Sequence, residues 1–77
     1  MTIRIKGWKA DQIIEEAHKY HMAIDRHTHE DGTVDLTQTS PTIKETEKAI
    51  YIEISAATYG DCPKDFRTWI PKSCIIA

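Results

Sequence analysis

No stretch of this sequence stays apolar for the ~20 residues that a helix needs to cross a bilayer. Arg4 and Lys6 near the start are followed by no apolar core of a secretion signal. A chain that neither spans a membrane nor carries a visible export signal is therefore expected, with the cytoplasm as its location. Cysteine is scarce: Cys62 and Cys74 stand alone, without a CxxC, which supports neither a disulfide nor a metal framework and leaves reduced thiols as the expectation. With three glycines in all, no glycine-rich phosphate loop can be built. An excess of one charge is missing too. The net charge is −2, with five basic and seven acidic side chains in the first 41 residues and five of each in the remaining 36. Binding to a phosphate backbone is disfavoured by that balance.

What is present suffices for one folded domain over residues 1–77. Apolar residues make up 40% and charged residues 29%, too hydrophobic and too evenly charged for disorder. A chain this short buries only about 60% of its unfolded surface, so a second core is excluded. "TIRIK" alternates Ile3 and Ile5 with polar residues, the period of a half-buried strand that Gly7 ends. From about Lys9 to Arg26 the period becomes helical. Ile13, Ala17, Tyr20 and Ile24 fall on one stripe with Ala10 and His21 at its shoulder, opposite Asp11, Glu15, Lys19, Met22 and Arg26. Asp11 near the N-terminal end and Arg26 near the C-terminal end would both suit the helix dipole.

Residues 26–42 show neither period and carry the turn dipeptide Asp31-Gly32, which predicts a long loop with a small strand at Val34 to Leu36. In "AIYIEISAA", Ile50, Ile52, Ile54 and Ala56 point one way and Ala49, Tyr51, Glu53 and Ser55 the other, as in a central strand. Gly60-Asp61 and Pro63 reverse the chain, and Phe66, Thr68 and Ile70 then alternate with Arg67 and Trp69. An antiparallel hairpin follows, with Trp69 covering a sheet face beside Tyr51 or Ile54. Pro71 lacks an amide donor and is expected to kink the chain at the strand end, after which Ile75 and Ile76 return to the core. The predicted fold class is α+β: one amphipathic helix packed on a small antiparallel sheet with a C-terminal hairpin.

Chemistry-bearing clusters are few. His18, His21 and Asp25 have helical spacing that could converge on a zinc or nickel ion, and His27 and His29 follow. The spacing is no HExxH, and solvated surface histidines are the expectation, with no metal or cofactor. Cys62 has Lys64 nearby but no histidine to activate it, and Cys74 fits a small buried hydrophobe. An enzyme is not expected.

"ETEKAIYIEI" followed by "WIPKSCI" resembles a C-terminal β unit of small accessory proteins from phages, prophages and other mobile elements. Thr46, Glu47, Lys48 and Ala49 match its first part, and Trp69, Pro71, Lys72, Ser73 and Ile75 its second. The resemblance covers about the last thirty-five residues and implies a setting, a bacterial host cytoplasm, rather than a reaction. It makes a host defence or regulatory complex the expected partner, occluded as anti-CRISPR inhibitors do. Protein interfaces favour Trp, Tyr and Arg at their centres. Tyr51, Tyr59, Arg67 and Trp69 on the hairpin, with Asp61 and Asp65 beside its turn, are the candidate partner-binding residues. The alternative is a single-stranded nucleic-acid module on the same aromatic and basic face.

Overall fold

The computed structural model describes residues 1–60 and 62–76. It is an α+β fold with one α-helix and antiparallel sheets. β1 (Thr2–Ile5) leads into α1 (Gly7–Lys19), followed by β2 (Met22–Ile24), β3 (Arg26–Thr28), β4 (Val34–Thr37) and β5 (Lys44–Glu45). The hairpin strands β6 (Ala49–Thr58) and β7 (Pro63–Pro71) come last, with a 3-10 turn over Lys72–Cys74.

Two sheets form rather than one. The first runs β1-β4-β3, and in the second β6 is paired along one edge by β7 and along the other by β2 and β5. They meet where Gln38 bridges Ile54 and the Thr39 N–H donates to the Glu53 carbonyl. β6 is thus bonded on both edges, as expected of a central strand. Beyond the 3-10 turn the tail doubles back onto β1. Ile75 bridges Ile5, the Ile76 N–H donates to the Arg4 carbonyl, and the Lys6 N–H donates to the Cys74 carbonyl.

One core lies between these layers, with Ile5, Ile13, Leu36, Ile52, Ile54, Ile70 and Cys74 all but sealed from solvent. The alternation read from the hairpin holds: Ile52, Ile54 and Ala56 on β6 and Phe66, Thr68 and Ile70 on β7 face inward. The tail contributes Cys74 to the core, with Ile75 half-buried against it. α1 buries Ala10, Ile13 and Ala17. Gly7 is required at its start, because a Cβ there would run into the Gly32 carbonyl oxygen, while Gly32 itself turns the chain at φ 88°.

The helix differs from its predicted span at both ends. It begins at Gly7, which puts Asp11 beyond the first turn, and the last turn carries His18 and Lys19 in place of Arg26. It stops at Lys19 because His21 adopts a left-handed backbone (φ 58°), after which Met22 and Ile24 are buried as strand residues. Ile24 satisfies both a helical and an alternating pattern, but Met22, which a helix would expose, is 8% exposed. Pairing decides between them: β2 supplies backbone partners to Ala56, Ala57 and Thr58 that a helix would leave unmade. Tyr20 consequently leaves the stripe and is exposed, its ring 6.4 Å from that of Phe66. The predicted loop of residues 26–42 holds the small strand expected at Val34 to Leu36, and a further one, β3, which pairs with it.

Candidate functional site

Because β6 and β7 alternate in register, their odd-numbered residues share the outer face of the hairpin. Tyr51 lies opposite Trp69, Glu53 opposite Arg67 and Ser55 opposite Asp65. Lys44 of β5 extends the first row beside Tyr51. The Tyr51 and Trp69 rings are tilted by 38° with centroids 5.0 Å apart, a favourable aromatic pair. Trp69 stays 43% exposed, so it covers the outer surface beside Tyr51, and Ile54 lies on the other side of the sheet.

The next row is polar and ordered. Glu53 accepts from the Ser40 hydroxyl at 2.9 Å and from Arg67 Nε at 3.3 Å. The Ser40 hydrogen bond, and after it that of Arg67, holds the Glu53 carboxyl below its ordinary pKa. One row further, Ser55 donates to Asp25 at 2.7 Å. Asp65 makes no side-chain hydrogen bond or ion pair among the described residues. The face therefore grades from an aromatic end through a neutralised Glu53–Arg67 pair to an acidic end.

Tyr59 sits apart from this face. It follows the end of β6, eight positions from Tyr51, roughly 26 Å at strand rise. There it is 64% exposed with its ring edge-on to His21 at 5.8 Å. Asp61 lies outside the described residues. The candidate residues thus fall into a face, Tyr51, Asp65, Arg67 and Trp69, and a separate turn carrying Tyr59.

The histidines do not assemble as helical spacing suggested, because α1 ends before His21 and Asp25. Among the described residues no group of three His, Cys, Asp or Glu side chains is disposed to hold a metal ion. His29 instead joins a network that the sequence reading missed. On the outer face of the first sheet Arg4 lies opposite Asp35, and Arg4 Nε donates to Asp35 Oδ1 at 3.0 Å. His29 Nε2 is 2.7 Å from Asp35 Oδ2 and 3.0 Å from an Arg4 guanidinium nitrogen. A carboxylate has no proton to give, so Nε2 is the donor to Asp35. The bonds from His29 and then Arg4 hold the Asp35 carboxyl below its ordinary pKa. Pairing β1 with β4 in the sequence would have placed Arg4 against Asp35. Nothing in the sequence showed His29 reaching across.

Concave features are shallow. A groove of about 460 Å3 runs along the exposed helix side past Gln12, Glu15, Glu16, Lys19 and Tyr20. A second, about 430 Å3, lies between α1 and the first sheet and includes Asp11, His18 and Arg26. Neither is lined by a cysteine: Cys74 is buried in the core and Cys62 is exposed at the hairpin turn. No protein-family model matches the chain, and no curated protein or solved structure is significantly similar to it.

Proposed function

We propose that this protein is a non-catalytic binding protein that docks on a larger protein through the outer face of its hairpin. The observation that carries the proposal is the aromatic pair beside Arg67, in which Trp69 is exposed and Tyr51 half-buried. These residue types dominate interface energetics because they bring large area and a polar handle with few rotors to freeze. They also stand on β6 and β7, the longest strands of the fold, so little further ordering is needed on docking. The resemblance of the C-terminal β unit to phage and prophage accessory proteins supplies the setting. A host defence or regulatory complex in a bacterial cytoplasm is the proposed target, inhibited by occlusion in the manner of an anti-CRISPR.

A second function has a specific observation in its favour, since the same aromatic pair beside Lys44 could stack bases of a single strand. Its charges argue for the protein partner. Arg67 is paired with Glu53 and Lys72 with Glu45 at 2.7 Å, and the last 36 residues carry as many acidic as basic side chains, a balance that disfavours release of counterions from a phosphate backbone.

The test is affinity capture from bacterial lysates with mass spectrometry, followed by titration of the recovered partner. Tyr51→Ala with Trp69→Ala should weaken binding at least tenfold, a loss of ~1.4 kcal/mol or more, while Glu15→Ala on the outer helix side leaves it unchanged. Binding should also persist when salt is raised. A steep loss with salt together with micromolar affinity for single-stranded oligonucleotides would move the function to nucleic acid. Loss through Tyr59→Ala alone would move the working surface to the turn.

A further inference from the structure

Among the described residues, strand β7 is paired on one side only. The alternation of backbone groups along β6 shows which of its own groups are left over. The carbonyls of Ala49, Tyr51, Glu53 and Ser55 accept from Thr46, Ile43, Thr39 and Asp25 on the far edge. The even-numbered residues of β6 therefore bond to β7, where the register sets them against Lys64, Phe66, Thr68 and Ile70. By the same alternation the N–H and C=O groups of Asp65, Arg67 and Trp69 point away from β6. No backbone group among the described residues bonds to them, and only the Thr68 hydroxyl approaches the Trp69 carbonyl, at 3.5 Å.

A nine-residue edge is long against the usual strand of about five or six residues, and such an edge is a template for another strand. Pro63 and Pro71 stand at its ends without amide hydrogens, so pairing is confined to the stretch between them.

We propose that this edge pairs antiparallel with the same edge of a second copy of the chain, about a two-fold axis at Phe66. In that register each copy's Asp65 faces the other copy's Arg67, so the Asp65 carboxylate, which has no ion pair among the described residues, gains a cation that already holds Glu53 at 3.3 Å. Trp69 faces Pro63, an apolar contact on the outer side. On the inner side the axis passes the ring of Phe66, against which the 65% exposed Tyr20 rests, so two Tyr20–Phe66 pairs flank it. The neighbouring register, centred on Arg67, would set two arginines directly opposite each other, which is unfavourable. A register centred on Thr68 would leave Asp65 against Pro71. A two-fold contact consumes the edge of both copies, so the assembly closes as a dimer. The edge shares Asp65, Arg67 and Trp69 with the outer face, but the pairing is argued from the free backbone groups of β7 and is tested on the purified chain alone, so this inference does not depend on the proposed target.

The test needs the wild-type chain first. Sedimentation equilibrium should show a reversible dimer at concentrations up to about 1 mM, the affinity of a small contact. Amide exchange by NMR should show protection at Asp65, Arg67 and Trp69 that rises with concentration, while Phe66 and Thr68 are protected throughout. Asp65→Lys and Arg67→Glu should each weaken the dimer at least about tenfold by juxtaposing like charges, and their equimolar mixture should form a heterodimer. Folding of both variants is checked by circular dichroism. A chain that stays monomeric throughout overturns the proposal, as does a dimer whose three odd-numbered amides remain unprotected. So does a pair of folded variants that fail to associate.

Discussion

The C-terminal hairpin and the segment from Tyr20 to Thr39 are both built of antiparallel strands, yet they are held in different ways. β6 and β7 form a continuous ladder over nine residue pairs, with Ile52, Ile54, Phe66 and Ile70 buried along one face. Their register is fixed by burial, since a slip of one residue would expose the whole set. The earlier segment has strands of three or four residues and relies on single residues at its corners. His21 turns left-handed after α1, Gly32 turns at the next corner, and Asp31 accepts from both the Thr33 hydroxyl and its N–H. Hydrophobic periodicity writes the first kind of structure into a sequence many times over, whereas the second is written once at each corner.

The largest effects should show that the two regions nevertheless share one core. Ile54 on β6 and Leu36 on β4 are both sealed from solvent in the same cluster. Replacing either by alanine should cost ~2–5 kcal/mol, read from the midpoint of urea unfolding. In a domain with about 5–15 kcal/mol to lose, that approaches the limit of folding. If Leu36→Ala produced a separate early transition with the hairpin intact, the regions would be independent units and the comparison would break.

A smaller effect of opposite sign is expected at the corner. A non-glycine residue in the left-handed region carries a cost of roughly 1–2 kcal/mol, which glycine avoids at a helix C-terminus. His21→Gly should therefore raise stability by about 0.5–1 kcal/mol, with the edge contact to Tyr59 given up. A lower melting temperature for that variant would mean that the His21–Tyr59 contact outweighs the backbone strain.

The smallest effect lies in the polar network. Asp35 has its pKa lowered by folding, chiefly through His29 and then Arg4. Its stabilisation is present above the unfolded pKa and is lost as the pH falls through the folded one. Wild type should therefore melt slightly higher than Asp35→Asn at neutral pH, and the gap should close in acid below the ordinary carboxylate range. A gap that is the same at both pH values would assign the difference to shape rather than charge.

This contrast also accounts for what the sequence disclosed. Ile50 to Ala56 and Phe66 to Ile70 alternate without interruption, so the hairpin, its inward set and the outward Tyr51, Arg67 and Trp69 were readable directly. The end of α1 was not, because no glycine or proline marks it and Ile24 fits helix and strand alike. β3, with the sequence Arg-His-Thr and every residue exposed, has no apolar signal at all. It exists because β4 has a backbone edge to satisfy. The candidate face was legible as a set of residue types, but the distance separating Tyr59 from the rest required the length of β6. The Arg4–His29–Asp35 network required knowing which strands are neighbours.

The return of the tail to β1 bears on how the chain folds. The bridge from Ile5 to Ile75 joins positions separated by nearly the whole sequence, while β6 and β7 are joined by a short turn. Closing so long a loop costs more chain entropy than closing the hairpin, and contacts of that kind slow the search for the native state. The hairpin is therefore expected to form first, as a local nucleus on which the rest condenses, and the clasp of tail on β1 to come late. Weakening Ile75 should then steepen the rate at which the protein opens, seen in the unfolding limb of its denaturant kinetics, and leave the rate at which it closes nearly untouched.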